Sequence, residues 1–577
     1  MKKLFLSICF ITFLSIILAQ NLDDILFKVG DEAITADLFV KTFNKNNSLE
    51  TTTRSELRDY LDLYVNFKLK VKDGIDSKID TASSFQRELT SYRNQSAQSY
   101  LVDKEVSEKL IKEAIERSKL MLRASHILIM CKEDASPKDS LAAFNKIMDI
   151  RKKITTGSIT FPEAAVLYSE DPSAKDEAAP NGKIQYGNKG DLGYFTVFDL
   201  IYPFETVAYN TAVGNYSMPF RTQFGYHLIW VQDKQPVISK ISISQILLMD
   251  SAAKTGNITP TVKEKLTRIE EALNSGEDFA NLATQYTDDP ASKEKGGKID
   301  PFSPNRRPGD FIKQCLLLEK EQMSKPFSSV VGWHIIKLHE LILPEIKEDE
   351  VRQNMVTRIQ RDSRSSKSVE SMVAKLKKEY NYTEKGKKAA FNLLTKKLET
   401  EPIMLSETEL LTISGIDKLK PIATFANQTI TIKDFIHYLN LFQGIDIKEQ
   451  VKSFLDNQFK MYLKDKILKY EFDNLENKYP EYKELMTEYL HGIILFEMNN
   501  ERVWSESLKD SEVLEAFYEN NKNNYLDSEG NLKPFSEIRS TVLTDYQNEL
   551  ETEWLNRLKE KYPVWINEEL FESLLKK

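Results

Sequence analysis

The chain has 577 residues, too many for a single hydrophobic core, and this length predicts roughly three to five domains. Hydrophobic residues make up 41% and charged residues 29%, a globular balance that excludes a largely disordered chain. The net charge of −8 excludes the basic character of a nucleic-acid-binding protein. We therefore expect no nucleic acid among its partners.

The first twenty residues predict export. Lys2 and Lys3 precede an apolar run from Leu4 to Leu18, and Ala19 provides a small residue before the expected cleavage point. This is the layout of a secretory signal peptide over residues 1–19. The run is shorter than the ~20 residues that cross a bilayer, so a retained anchor is the weaker alternative. No later run is long enough for a stable membrane insertion.

Cysteine and histidine are too sparse for a disulfide framework or a metal site. After cleavage only Cys131 and Cys315 remain, far apart in the sequence. We expect two buried thiols, with one long-range disulfide as the alternative. The six histidines form no HExxH pattern, and no CxxC pattern occurs. We predict no metal and no cofactor.

Residues 20–118 predict a mainly helical N-terminal region. Thr35 is placed to cap a helix that runs through Phe39. Apolar residues then recur at helical spacing over residues 54–75 and 83–118. Gly74 is predicted to break the helix.

Residues 119–235 have the pattern of a mixed α and β domain. The β-rich run Ala124–Met130 leads into a helix that is expected to end near Gly157. A loop over residues 171–193 is rich in proline, glycine, aspartate and lysine, and Tyr226–Val231 again has strand composition.

Residues 236–342 repeat this pattern. Ile243–Leu248 corresponds to Ala124–Ile129, and Gly332–Ile336 corresponds to Gly225–Ile229. Two further landmarks lie between these in the same order, at spacings of roughly 107 to 119 residues. An internal repeat held over four ordered landmarks predicts two copies of one domain.

The last part of the chain predicts a charged helical linker, 343–405, and a helical C-terminal region, 406–577. Thr429–Phe435 is similar to Ala33–Phe39, which points to a second, weaker repeat between the two ends. Coincidental similarity between two amphipathic helical segments is the alternative.

Three polar residues of the first repeat are candidates for a shared site. His126 and His227 lie on predicted strands, and Asp171 lies in the intervening loop. Two strand histidines can form a metal pair, act as a catalytic base or be ordinary core residues, and spacing alone leaves these alternatives open.

A series of motifs along residues 119–235 resembles the parvulin-type (PpiC, rotamase) prolyl isomerase family. The motifs are Ser125–Leu128, Phe161, Tyr168–Pro172, Gly190–Gly193, Phe195, Pro203–Phe204, Gly214 and Phe224–Ile229. The whole layout resembles the SurA-type periplasmic chaperones. The resemblance implies an α+β fold: two parvulin domains, each a four-stranded antiparallel sheet with covering helices, flanked by mainly helical chaperone-like regions.

The resemblance also implies site residues for the first domain. His126 and His227 match the paired histidines beneath the substrate proline, and Asp171 stands where the family has cysteine or aspartate. Thr222 matches a hydroxyl residue that bonds toward the histidines. The apolar proline pocket is implied by Leu192, Leu200 and Phe204, with Leu200 in place of the family's usual methionine.

Prolyl isomerisation changes no covalent bond. The X–Pro amide rotates over a barrier of ~18–20 kcal/mol, and the uncatalysed exchange is slow enough to limit folding. A pocket that grips the ring and binds the twisted amide better than the planar one catalyses the rotation. In this interpretation Asp171 sets local charge and hydrogen bonding, and nucleophilic attack by Asp171 is the weaker alternative.

The second domain departs from the pattern. Gln245 replaces the first histidine, and Arg307 falls where Leu200 sits in the first domain. A guanidinium weakens a pocket built for an apolar ring. We therefore expect a weak or inactive isomerase that can bind peptide, with a structural spacer as the alternative. Its vestigial site would comprise Gln245, Asp289, Ile299, Phe311, Ser329 and His334.

The leading interpretation is a periplasmic prolyl isomerase and chaperone. Its expected partners are unfolded or nascent exported polypeptides with X–Pro bonds, and the resemblance suggests outer-membrane proteins among them. One alternative is a non-enzymatic holdase that uses its parvulin domains to bind peptide. Another is an assembly factor dedicated to one partner complex.

Overall fold

The computed structural model describes residues 24–133, 135–178, 184–345, 347–447 and 450–575. The predicted signal peptide lies outside these residues. The chain forms two compact units, one from the residues up to Tyr100 and from Phe472 onward, the other from Leu101–Glu471. The predicted domain limits within the second unit stay predictions.

The first unit joins the two ends of the chain through a three-stranded antiparallel sheet. Its central strand, Ile25–Val29, pairs with Glu32–Thr35 on one side and with Val564–Ile566 on the other. Phe27 is fully buried in the core that both ends build. The helices of this unit are Ala36–Phe43, Arg54–Asp76, Ser83–Ala97, Pro480–Asn499, Ser505–Ser507, Ser511–Asn520, Phe535–Lys561 and Glu568–Ser573.

The predicted cap at Thr35 is confirmed, and the predicted break at Gly74 is wrong. The Thr35 side chain accepts a hydrogen bond from the Leu38 amide at 3.3 Å and starts the helix Ala36–Phe43. Gly74, by contrast, lies inside the helix Arg54–Asp76. A Cβ at Gly74 would lie 2.4 Å from Ile494 Cγ2, so the glycine allows close helix packing there.

The first part of the second unit contains a four-stranded antiparallel sheet. Its strands lie in the order Asp191–Phe195, Leu120–Met130, Gly225–Pro236 and Phe220–Thr222. A short ribbon, Glu177–Ala178 with Ile184–Gln185, lies outside this sheet. The associated helices are Lys104–Ser118, Pro137–Thr155, Phe161–Tyr168 and Tyr202–Asn210.

The two faces of this sheet bury different residues because side chains alternate along a strand. Ile127 and Leu228 pack against the helices Pro137–Thr155 and Phe161–Tyr168. Ile229 belongs to a separate cluster with Phe204. The polar site residues described below lie on the Phe204 face.

The second copy has the same fold, but one edge strand of its sheet is reduced. Its sheet has the order Phe327–Ser328, Gly332–Ile342 and Lys240–Met249. The fourth strand expected there is represented by two isolated bridges, Ser244 with Lys298 and Ile241 with Phe302. Pro301 precedes Phe302 and has no amide hydrogen for a ladder. The helices are Pro260–Asn274, Phe279–Tyr286, Pro290–Lys293 and Gly309–Leu316.

The described residues of the rest of the second unit are mainly helical and include a hairpin. Together with the antiparallel sheets, this confirms the predicted α+β class. The hairpin pairs Ala423–Phe425 with Gln428–Ile430. Thr431 then caps the helix Ile432–Leu439, as Thr35 does after its own hairpin, so both members of the weaker repeat have the same local structure. The other helices are Glu348–Arg361, Ser366–Glu379, Lys387–Thr400 and Glu407–Leu411, and the helix Val451–Lys478 begins in this unit.

Among the helices of the described residues, none combines the length and the apolar character that crossing a membrane requires.

Candidate active site

The two histidines of the first domain come together on one face of its sheet. His126 pairs in register with Ile229, and His227 pairs with Leu128, so the histidines are diagonal neighbours on adjacent strands. Their rings stack with centroids 5.7 Å apart and planes 16° apart. Both side chains are buried. The parallel stack gives no support to the metal-pair alternative.

Asp171 and Thr222 each contact one of these histidines. Asp171 Oδ2 lies 2.8 Å from His126 Nε2, while Asp171 Oδ1 accepts a hydrogen bond from the Ser173 amide at 2.9 Å. Thr222 Oγ1 and His227 Nε2 share a hydrogen bond of 2.8 Å. The carboxylate therefore lies against the His126 ring, and the hydroxyl bonds the His227 ring.

The charges of the site follow from burial and from these contacts. The His126 imidazole holds the pKa of Asp171 well below its usual range, so Asp171 is ionised. Burial, together with the neighbouring His126, lowers the pKa of His227 to about 4. His227 is therefore neutral at pH 7.

The predicted apolar pocket residues lie beside the histidines. The Phe204 ring meets His126 edge-on at 5.6 Å and His227 at 5.5 Å. Leu192 and Leu200 are half-buried against the cluster that contains Phe204. The structure thus places all seven predicted residues of the first domain around one sheet face, and their catalytic and binding roles stay predictions.

Sequence reasoning missed one aromatic residue of this site. Phe220 stacks on His227 with centroids 5.4 Å apart and also meets Phe204 edge-on. Its counterpart Phe327 stacks on His334 at 5.3 Å in the second domain. A Pro-Phe pair seven residues before the histidine occurs in both copies and is the sequence signal that could have identified it.

The second domain keeps half of this arrangement. Ser329 Oγ and His334 Nε2 share a hydrogen bond of 2.7 Å, and Phe311 meets His334 edge-on at 5.3 Å. Gln245 Nε2 donates to Asp289 Oδ2 at 2.8 Å in place of the histidine contact. Ile299 is half-buried beside Phe311. The predicted vestigial residues therefore also share one location.

Charge distinguishes the second site from the first. The Arg307 guanidinium lies over the rings of Phe302 and Phe311, at 5.3 and 5.8 Å from their centroids. Burial, together with Arg307, lowers the pKa of His334 to about 4. Burial opposes ionisation of Asp289, yet hydrogen bonds from Ser292 and Gln245 lower its pKa. A cation thus occupies the place where the first domain presents an aliphatic side chain.

Within the described residues, no group of three or more histidine, cysteine or acidic side chains is arranged to hold a metal ion. Cys131 and Cys315 are both free and buried.

Comparison with known proteins shows which proteins the chain is similar to. The sequence matches the rotamase family, described as the PPIC-type PPIASE domain, over residues 126–233 and 246–340. Chaperone SurA of Pseudomonas fluorescens is 27% identical over 221 residues, covering 38% of this chain and 48% of that protein. Chaperone SurA of Hydrogenovibrio crunogenus is 26% identical over 372 residues, covering 62% and 75%.

A crystal structure of the peptidylprolyl isomerase PrsA from Bacillus anthracis is 27% identical, covers 24% of this chain and 60% of that one, and has a TM-score of 0.16. The chain spans about half the length of the Pseudomonas relative. The two matched regions are similar to the PPIC-type PPIASE domain, and the chain that carries them is similar to the SurA chaperones.

Proposed function

We propose that the protein is a peptidyl-prolyl cis-trans isomerase and chaperone for exported polypeptides, with catalysis in the first parvulin domain. The second domain is weak or inactive as an isomerase and binds peptide. The periplasm is the proposed location, because the first 19 residues have the layout of a signal peptide and the similar SurA proteins bear the name chaperone.

The observation that carries the proposal is the complete set of rings and apolar side chains around His126 and His227. Phe204, Leu192 and Leu200 offer an apolar surface for the proline ring. The buried neutral His227 and the ionised Asp171 give the neighbouring surface fixed polarity. Such a surface favours the twisted amide, which has lost its resonance, over the planar amide.

The second domain lacks two parts of this set. Gln245 cannot stack as an imidazole does, and Arg307 brings a charge to the place of Leu200. An apolar ring gains less there, because the guanidinium would have to lose part of its hydration. Arg307 still offers hydrogen-bond donors to a peptide, which supports a binding role.

The client class is the most specific part of the proposal. Exported chains with X–Pro bonds need an isomerase because the uncatalysed exchange takes tens to hundreds of seconds. Outer-membrane proteins are proposed as clients by resemblance to SurA-type chaperones. A holdase that uses its parvulin domains only to bind peptide is the competing proposal, and it would give the first site a binding role without a catalytic one.

Exchange NMR on X–Pro peptides tests the proposal in the full-length protein. Two matched variants, Leu192→Ala and Ile299→Ala, shorten the corresponding pocket residue in each domain. We expect Leu192→Ala to lower the catalysed exchange about tenfold and Ile299→Ala to leave it within about twofold. Absence of exchange in the folded wild-type protein would overturn the isomerase and favour the holdase.

A further inference from the structure

Arg123 links the two parvulin domains. It lies on the strand Leu120–Met130, three residues before His126, and its side chain is almost fully buried. Its Nη2 donates to Asp191 Oδ2 at 2.6 Å within the first domain and to Asp310 Oδ1 at 2.7 Å in the second. One guanidinium therefore bonds carboxylates of both domains.

The two carboxylates lie next to pocket residues. Asp191 directly precedes Leu192, and Asp310 directly precedes Phe311. Asp191 Oδ1 also accepts a hydrogen bond from the Gly193 amide at 3.0 Å, so this carboxylate spans Leu192 and holds the backbone that follows it. A displacement of the guanidinium would consequently reach the wall of the first proline pocket.

The Arg123 side chain is closely packed against the second domain. A Cβ at Gly309, the first residue of the helix Gly309–Leu316, would lie 2.3 Å from Arg123 Nε. Met121 and Tyr194 of the first domain share a buried apolar cluster with Ile312 of the same helix. The contact between the domains thus has an apolar core beside the ion pairs.

The internal repeat shows that the parvulin fold does not require this arginine. In the second copy the position of Arg123 is occupied by Ser242, and the position of Asp191 is occupied by Lys298. That copy forms its own antiparallel sheet, although the edge that corresponds to Asp191–Phe195 is reduced to isolated bridges. The Arg123–Asp191 pair therefore occurs in the first copy alone of the two. There, Arg123 also contacts the neighbouring domain through Asp310.

We propose that Arg123 is a positioning residue: held by Asp310 of the second domain, it fixes Asp191 and thereby places Leu192 for catalysis in the first. The second domain then contributes to turnover without performing it. This inference rests on the proposed isomerase function. It gives the second copy, whose own site is incomplete, a role in the activity of the first.

The test uses the full-length protein and the substitution Asp310→Asn. The Asp310 side chain is 84% exposed, so this change should not unfold the protein. We expect the catalysed exchange to fall about fivefold, mainly in kcat, and the Leu192 methyl resonances to shift. Asp310→Glu keeps the carboxylate and should restore most of the rate, and Asp300→Asn, another exposed aspartate of the same domain, should change neither readout.

Two outcomes would contradict the role of Arg123 and the isomerase function separately. An unchanged rate and unchanged Leu192 methyl resonances in Asp310→Asn, with an active wild-type protein, would overturn the role of Arg123. A wild-type protein that does not catalyse the exchange would overturn the isomerase function, and with it the positioning role of Arg123 in catalysis. In that case the Leu192 methyl shift still reports whether the two pockets are coupled.

Discussion

Asp171 Oδ2 lies 2.8 Å from Nε2 of His126. In the second domain Asp289 makes a contact of the same length with Gln245, a neutral amide that accepts no proton. The loop carboxylate therefore holds the polar residue of the facing strand whether that residue can titrate or not. This supports an orienting role for Asp171 and gives no support to nucleophilic attack.

Asp171→Asn is expected to lower the isomerase rate moderately, by about tenfold or less, because the amide can still bond His126 but removes the fixed charge. Exchange NMR measures the rate. Asp149→Asn, an exposed residue of the helix Pro137–Thr155, is the matched control. A loss of about a thousandfold or more in Asp171→Asn would instead point to a covalent role.

Alternation and repetition made the site predictable. His126 and His227 lie on strands that the sequence predicts. Because the repeat gives a second copy of each motif, comparison of the two copies identifies substitutions such as Gln245. Helix starts were equally readable, since Thr35 caps through a local hydrogen bond. A contact of this kind joins residues that are close in the sequence, so the sequence alone predicts it.

Long-range packing was not predictable in the same way. The strand Val564–Ile566 pairs with Ile25–Val29, and no periodicity links segments at opposite ends of a chain. Gly74 is in a helix despite its poor propensity because the neighbouring helix approaches closely, which only tertiary structure reveals. Phe220 was not predicted because its strand, Phe220–Thr222, is too short to show a pattern until it is compared with the segment of Phe327 in the second copy.

A buried charge cluster should control the stability of the second unit. Glu205, the residue after Phe204, is fully buried and accepts hydrogen bonds from Arg117 at 2.8 Å and Arg364 at 2.9 Å. Glu205→Gln would leave two buried guanidinium groups with one charge partner fewer. We expect a loss of about 3–5 kcal/mol, measured as a lower melting transition in calorimetry.

Arg364→Met should cause a comparable loss, since it leaves the Glu205 carboxylate short of a partner. Arg361→Met, three residues earlier and exposed, should stay within about 0.5 kcal/mol of the wild type. Equal melting temperatures for Arg364→Met and Arg361→Met would refute the stabilising role of the cluster.

Acid should destabilise the first domain through His227. Its pKa of about 4 in the folded protein lies below the ordinary value of 6.5, so the unfolded chain binds the proton more tightly. This contribution to stability is fully present above pH 6.5 and is lost as the pH falls toward 4, by up to about 3 kcal/mol. The melting temperature should therefore fall over this range.

The slope with pH should be smaller in His227→Gln, which does not titrate. His437→Gln is the matched control, because the His437 side chain is 78% exposed. Direct titration of the His227 imidazole by NMR offers a second check. A midpoint above 6 would contradict the burial argument.

Gly74→Ala should destabilise the first unit, although alanine is normally the better helix former by about 1 kcal/mol. The added Cβ would lie 2.4 Å from Ile494 Cγ2 and 3.1 Å from Met498 Cγ, so the two helices would have to move apart at a cost of about 1–3 kcal/mol. Gly492→Ala lies within the helix Pro480–Asn499 with open space around it and should raise stability slightly. Thermal melting of both variants tests this, and a stabilised Gly74→Ala would show that the contact with Ile494 does not disfavour alanine at this position.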